Sequence, residues 1–269
     1  MPSSSPGTGN NLYVANDLNS NVLKYLAPVS SSSAPALFFP FSHPFGVAVN
    51  TANVAVNSDL NGRISVYNQP FSASSTPIGT FGRQAIGQIT FDPSGNLWAT
   101  TQNNTVYEYK APFSNATIEQ LIISALFDTV GLAFDSNGNL YVTDNGTDGG
   151  ETINMFAPPY TGTPTTVAIG TGSNVGGVAV HGGQLAAVSF DLSVVDIFNL
   201  PLSASSTPAF SIRTTNPNYV AFDNLGNLYV SDNMNSDIVM FSAPLSSSST
   251  PSAKITAGLN SQEGIATGP

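Results

Sequence analysis

Apolar residues in this chain fall into short runs broken by Gly, Pro, Asn, Asp or Ser, and no stretch keeps a helical spacing. Short runs rich in Val, Ile, Phe and Tyr and bounded by turn residues predict β-strands. The runs repeat. Asn-Leu-Tyr-Val begins at Asn11, Asn139 and Asn227, with a variant at Asn96 (Asn-Leu-Trp-Ala) and weaker copies at Asn53 and Gln184. The second residues of these six segments, Leu12, Val54, Leu97, Leu140, Leu185 and Leu228, are spaced by 42, 43, 43, 45 and 43 residues. That period is the length of a four-stranded propeller blade.

Other columns keep the same phase. A β-branched residue followed three positions later by an aromatic one occurs at Val22/Tyr25, Ile64/Tyr67, Val106/Tyr109, Ile153/Phe156, Val195/Phe198 and Ile238/Phe241. A proline follows each aromatic: Pro28, Pro70, Pro112, Pro159, Pro201 and Pro244. Proline cannot donate to a central ladder, so it marks a strand end. Each unit resolves into an apolar first strand that usually follows Gly (Gly46-Val47-Ala48-Val49), a tight turn (Asp223 to Asn227), the Asn-Leu-Tyr-Val strand, the β-branched/aromatic strand, and a Ser-rich loop into a fourth strand. The expected fold is all-β: a six-bladed propeller with four-stranded antiparallel blades. Residues 1–9 read as a flexible spacer and residues 10–269 as one propeller domain. The repeat begins at a second strand and ends at a first strand, so Gly264–Thr267 is expected to complete the N-terminal blade and remove two open edges.

The segment Val220 to Phe241, with Asp223, Gly226, Asn227-Leu228-Tyr229-Val230 and Asp232, resembles the NHL repeat, and the resemblance covers essentially the whole chain. It departs from that family where an Asn-x-Arg pair often precedes the third strand; only Asn61-Gly62-Arg63 comes near it. The resemblance implies architecture more than activity, since such propellers serve as enzymes, receptors and scaffolds. More distantly, the chain is similar to six-bladed hydrolases of the SMP-30/gluconolactonase type. Those place carboxylates and Asn just before the first-strand Gly to hold a divalent metal. The corresponding positions here are Phe45, Ile86, Val130, Gly176, Asn218 and Glu263. Glu263 and Asn218 match that metal set; Phe45, Ile86 and Val130 do not. A hard cation wants about six oxygen ligands, and two facing apolar residues make a poor cage.

Composition narrows the partners. The 269 residues carry only 6 basic and 16 acidic side chains, for a net charge of −10. The balance argues against nucleic acid, which needs clustered Lys and Arg, and against an anionic membrane surface. No apolar run is long enough for a membrane span. There is no cysteine, hence no disulfide or thiolate zinc site. The acidic, charge-poor, Ser/Thr/Asn-rich make-up points to an exported protein (secreted, periplasmic or cell-surface) whose signal was removed, with Met1 added as an initiator; a native cytosolic start is the alternative.

Two histidines are placed apart: His43 near the ligand mouth, His181 near the other. The short polar column Asn16, Ser58, Thr101, Asp144, Ser189 and Asp232 is read as turn-fixing, and Asp92, Asp135 and Asp223 as turn residues. Phe190, Leu192 and Met234 stand in loops where polar residues are expected, and with Phe45, Arg83, Phe127 and Arg213 they are grouped as a binding surface. The loop Asn145 to Glu151 is acidic and Gly-rich, of a kind that suits Ca²⁺ but without EF-hand spacing. The leading expectation is a monomeric, non-enzymatic scaffold binding a protein, glycan or small ligand at the channel mouth, without a cofactor. The alternatives are a lactonase-type hydrolase using Ca²⁺ or another divalent metal on Glu263 and Asn218, or a propeller lyase using His43.

Overall fold

The computed structural model describes residues 9–82, 87–101, 104–124, 126–146, 150–169 and 174–269. The proposed spacer, apart from Gly9, lies outside them, as do Arg83 and Ile86.

The described residues form six four-stranded antiparallel sheets, the blades of a propeller. Blade 1 holds β1 (Asn11–Asn16), β2 (Asn21–Tyr25) and β3 (Leu37–Pro40). Blade 2 is β4 (Pro44–Val49), β5 (Asn53–Ser58), β6 (Ile64–Asn68) and β7 (Gly79–Phe81). Blade 3 is β8 (Ile89–Phe91), β9 (Leu97–Thr100), β10 (Val106–Tyr109) and β11 (Glu119–Ile123). Blade 4 is β12 (Thr129–Phe134), β13 (Leu140–Asp144), β14 (Thr152–Phe156) and β15 (Thr165–Ala168). Blade 5 is β16 (Val175–His181), β17 (Gln184–Ser189), β18 (Val194–Asn199) and β19 (Phe210–Arg213). Blade 6 is β20 (Val220–Phe222), β21 (Leu228–Asp232), β22 (Asp237–Phe241) and β23 (Ala253–Ile255). Finally β24 (Gln262–Gly268) becomes the inner strand of blade 1. It pairs with β1 from Asn11↔Gly268 to Asn16↔Gln262, as the sequence pattern predicts.

The apolar core is divided into six clusters, each between two neighbouring blades. Tyr13, Trp98, Tyr141 and Tyr229 sit at one strand position and are almost completely buried in these layers. Three are also tied to a turn: Trp98 Nε1 donates to Asp92 Oδ2 at 3.1 Å, Tyr141 Oη to Asp135 Oδ2 at 3.0 Å, and the Tyr229 hydroxyl to Asp223. The same carboxylates accept backbone N–H bonds within their own turns, so Asp92, Asp135 and Asp223 fix the first-to-second turn. The Ser runs, read as linkers, are built turns. In four blades a leading Ser N–H donates to the hydroxyl of the Ser three residues on, whose N–H returns to the leading Ser carbonyl. Each of the six recurrent prolines follows a cis peptide at the end of a third strand.

The recurrent Gly has a steric cause. A Cβ on Gly264 would lie 2.8 Å from the Phe45 carbonyl, one on Gly131 would lie 2.8 Å from Val178 N, and one on Gly177 would lie 2.8 Å from the Tyr219 ring. The inner strands thus meet backbone to backbone at one end of the channel. Gly177 N donates to Asn218 O at 2.8 Å, and Thr143 Oγ1 to Gly176 O at 2.8 Å, so polar bonds also cross between blades.

Removing residues 262–269 deletes β24, leaving the inner edge of β1 unpaired, with only β2 beside it, and the Ile265 layer open. The truncated chain is expected to unfold at a much lower temperature or to associate through the exposed edge. A truncated chain that melts with the parent and elutes as a monomer would show that closure does not hold the ring.

Candidate functional site

In an antiparallel blade the second-to-third hairpins and the fourth-to-first connections share one face. That face is latched together by its backbone. In four blades the residue after the second strand donates to the loop leading into an inner strand: Asp17 N to Ser261 O (3.1 Å), Asp59 N to His43 O (3.2 Å), Asn145 N to Asp128 O (3.0 Å) and Phe190 N to Asn174 O (2.7 Å). The short polar column seals the same joint. Asp144 accepts from the N–H groups of Phe127, Asp128 and Gly146, and Asp232 from Asn235 N and Thr215 Oγ1. Those carboxylates are engaged in structure, in line with the turn-fixing reading.

The channel itself is narrow. A cavity of about 170 Å³ lies between the later halves of the inner strands, toward the end away from this face, walled largely by Val and Ala side chains of all six blades with Gln88, Thr90 and Thr267 as its polar members.

At the mouth the structure brings some candidates together and separates others. Asn218 Nδ2 donates to Glu263 Oε2 at 3.1 Å, so these two do meet. Asn233 Nδ2 approaches the other oxygen, Oε1, at 3.5 Å. Phe45 packs edge-on against Tyr219 with centroids 6.0 Å apart, half-buried beside them. Val130 lies across the ring, and its carbonyl accepts from Gln88 N and Thr100 Oγ1. His43, in the left-handed region at φ 46°, places Nδ1 3.1 Å from Asp17 Oδ1 and 4.0 Å from Asp59 Oδ1. His181 packs on Phe222, whose backbone lies away from this mouth, as its position after an inner strand requires. Phe190 is half-buried against the core between blades 5 and 6 rather than presented as surface. Arg213 ends β19, the outermost strand of blade 5, and lines a rim groove with Leu192, away from Glu263. Of the Asn145–Glu151 loop, residues 147–149 lie outside the described residues.

Burial is the main cause that pushes the Glu263 carboxyl up to about 7. The charges of Asp17 and Asp59 add to it, while the hydrogen bonds from Asn233 and Asn218 act against it. Asp17, Asp59 and Asn233 were not singled out by the sequence reading. Their signal was the repeated Asp-Leu-Asn of residues 17–19 and 59–61, with Asn-Met-Asn at 233–235.

No protein-family model matches the chain, and no curated protein matches it. Solved structures do share the fold. A chain in the crystal structure of a nidogen/laminin complex superposes with a TM-score of 0.72 at 18% identity, covering 97% of this chain and 98% of that one. A protein of unknown function from Bacteroides caccae gives 0.70 at 10% identity, covering 96% and 98%. Virginiamycin B lyase from Staphylococcus aureus gives 0.58 at 14%, covering 78% and 70%. At such identities the likeness is one of fold.

Because folding raises the Glu263 pKa above the ordinary carboxylate range, the folded chain holds a proton there that the unfolded chain has released. Stability from this group is therefore complete below about pH 4 and lost as the pH rises through about 7, by on the order of 2–3 kcal/mol. Thermal unfolding followed from pH 5 to 8 should show the loss, and Glu263→Gln should flatten it while raising stability at pH 8. The same pH profile in parent and variant would remove Glu263 as its source.

Proposed function

We propose that this chain is an exported, non-catalytic propeller that binds a protein partner on the face carrying the Glu263 mouth. The observation that carries the reading is the contrast between channel and face. The channel's own cavity, about 170 Å³, is smaller than the clefts that enclose small-molecule substrates, roughly 300 Å³ and upward, and a larger hollow of about 870 Å³ lies between blades 3 and 4, away from Glu263. The mouth face, at the other end from the channel cavity, is built of loops on a rigid frame, which is where binding residues concentrate. The similar chain in the nidogen/laminin complex comes from a protein–protein complex, which favours a protein among the ligands open to this fold. Export is supported by composition: few charges and a surface left to Ser, Thr and Asn.

One observation favours the metal-dependent hydrolase instead. Donor atoms of Asp17, His43 and Asp59 lie within 4.8 Å of one another, close to the raised carboxyl of Glu263. Mixed imidazole and carboxylate donors suit zinc or manganese better than calcium. The two readings part on metal and turnover. Protein dialysed against calcium, manganese and zinc in turn is expected to retain no stoichiometric metal by elemental analysis, and to leave lactone and ester substrates intact. Stoichiometric metal that is lost in Glu263→Gln or in Asp17→Asn/Asp59→Asn, with turnover lost alongside it, would overturn the binding reading and install the hydrolase.

A further inference from the structure

The mouth face carries a feature that the Glu263 corner does not explain. Among the described residues ten large apolar side chains are exposed. Leu26 and Leu225 lie toward the opposite face, and Phe38, Ile118 and Leu121 lie on or beside outermost strands. The other five, Leu18, Leu60, Phe127, Leu192 and Met234, all project from loops of the mouth face, exposed by 50 to 70%. Four of them occupy second-to-third hairpin tips.

The tips share one geometry. Each has a left-handed residue in fourth place, Ser20, Gly62, Ser193 and Ser236 at φ 48°, 61°, 54° and 52°; three of the loops end there and the blade 2 loop runs one residue further, to Arg63. Leu18, Leu60 and Met234 take the second place of that loop and Leu192 the third. No fold requirement selects an apolar side chain there. The loop conformation is set by the left-handed residue and by backbone bonds such as Ser20 N to Asp17 O, at 2.7 Å. A Leu or Met held two-thirds in water at a repeated position gains its burial elsewhere, on a partner.

Charge says which partner. Asp17 and Asp59 directly precede Leu18 and Leu60, and Asp191 precedes Leu192. Glu263 adds a fourth acid at the mouth, and among the described residues no Lys or Arg pairs with Asp17, Asp59 or Glu263; only the His43 imidazole does so with the two aspartates. Arg63 and Arg213 stand further out; Arg63 donates to the Thr80 carbonyl and Arg213 ends an outermost strand. We propose that the hairpin tips form an apolar crown, collared by acids, that docks a protein surface presenting apolar side chains flanked by Lys and Arg. A second copy of this chain would set the same acids against each other at a net charge of −10 each. An anionic bilayer would meet the same repulsion.

The inference rests on the binding reading, and a peptide titration separates the two. Three labelled peptides of equal length serve as probes: alternating Lys and Leu, alternating Glu and Leu, and alternating Lys and Ser. The Lys–Leu peptide is expected to bind, with an affinity that falls as salt is raised. Leu18→Ser/Leu60→Ser/Leu192→Ser/Met234→Ser, whose four sites are exposed and leave the fold intact by circular dichroism, should weaken it by roughly tenfold or more. Asp17→Asn/Asp59→Asn/Asp191→Asn should flatten the salt dependence and slow association. Equal binding of the Glu–Leu peptide, or of the Lys–Ser peptide with no loss in the four-site variant, would overturn the proposal. So would self-association by sedimentation that vanishes in the four-site variant, which would make a second copy the occupant. Failure of the Lys–Leu peptide to bind a protein that holds no metal and turns over no substrate sinks the crown and leaves the binding reading. Turnover with the Lys–Leu peptide still bound does the reverse.

Discussion

The ring depends on how closely its inner strands approach one another. At Gly264, Gly131 and Gly177 the neighbouring backbone lies where a Cβ would stand. Five of the six blades carry a glycine in this column, with Tyr219 in its place in blade 6, and a side chain at these three would push neighbouring blades apart. The glycines therefore set the channel radius, and the Val and Ala side chains beyond them set its width. The six inter-blade layers follow from that spacing. Tyr13, Trp98, Tyr141 and Tyr229 fill the wedge that opens as blades radiate outward, where the volume between sheets grows.

A frame fixed in this way leaves the mouth face free to differ from blade to blade. Its loops are held by backbone bonds and by short side chains such as Asp144 and Asp232, so their identity at the tips is uncoupled from the fold. That division explains why one corner can gather Glu263, Asp17 and Asp59 with His43. The repulsion among these acids is borne locally by two asparagines and by a carboxyl pushed up into the neutral range, not by the ring.

Much of the fold was legible because it repeats. A proline column, a β-branched/aromatic pair and Asn-Leu-Tyr-Val each recur in phase, and six concordant copies override the ambiguity of any single short strand. The pairing of β24 with β1 was legible from where the repeat starts and stops. Sites were harder. Glu263 and Asn218 were found because they share a repeat column on adjacent blades. Asp17 and Asp59 share a column on adjacent blades but His43 lies in another, and only the ring's curvature brings the three together. Arg213 was grouped with the mouth by its loop, yet it ends an outermost strand, because sequence order does not convey radial distance. Phe190 was read as surface from its loop position, but a turn side chain beside an inter-blade layer gains more by folding inward. Leu18 and Leu60 passed unnoticed since a lone apolar turn residue is ordinary; their meaning lies in their recurrence on one face.

The pairing of Asn11 with Gly268 fixes a direction as well as an edge. β1 runs toward its hairpin tip at Asp17–Ser20, so Asn11 and the end of β24 both lie on the side away from the tips. Anything joined at either end, whether a tether, a neighbouring module or a solid support, would be attached behind the molecule. The crown would then point outward from whatever carries it, displayed like the head of a stud rather than pressed against its mount.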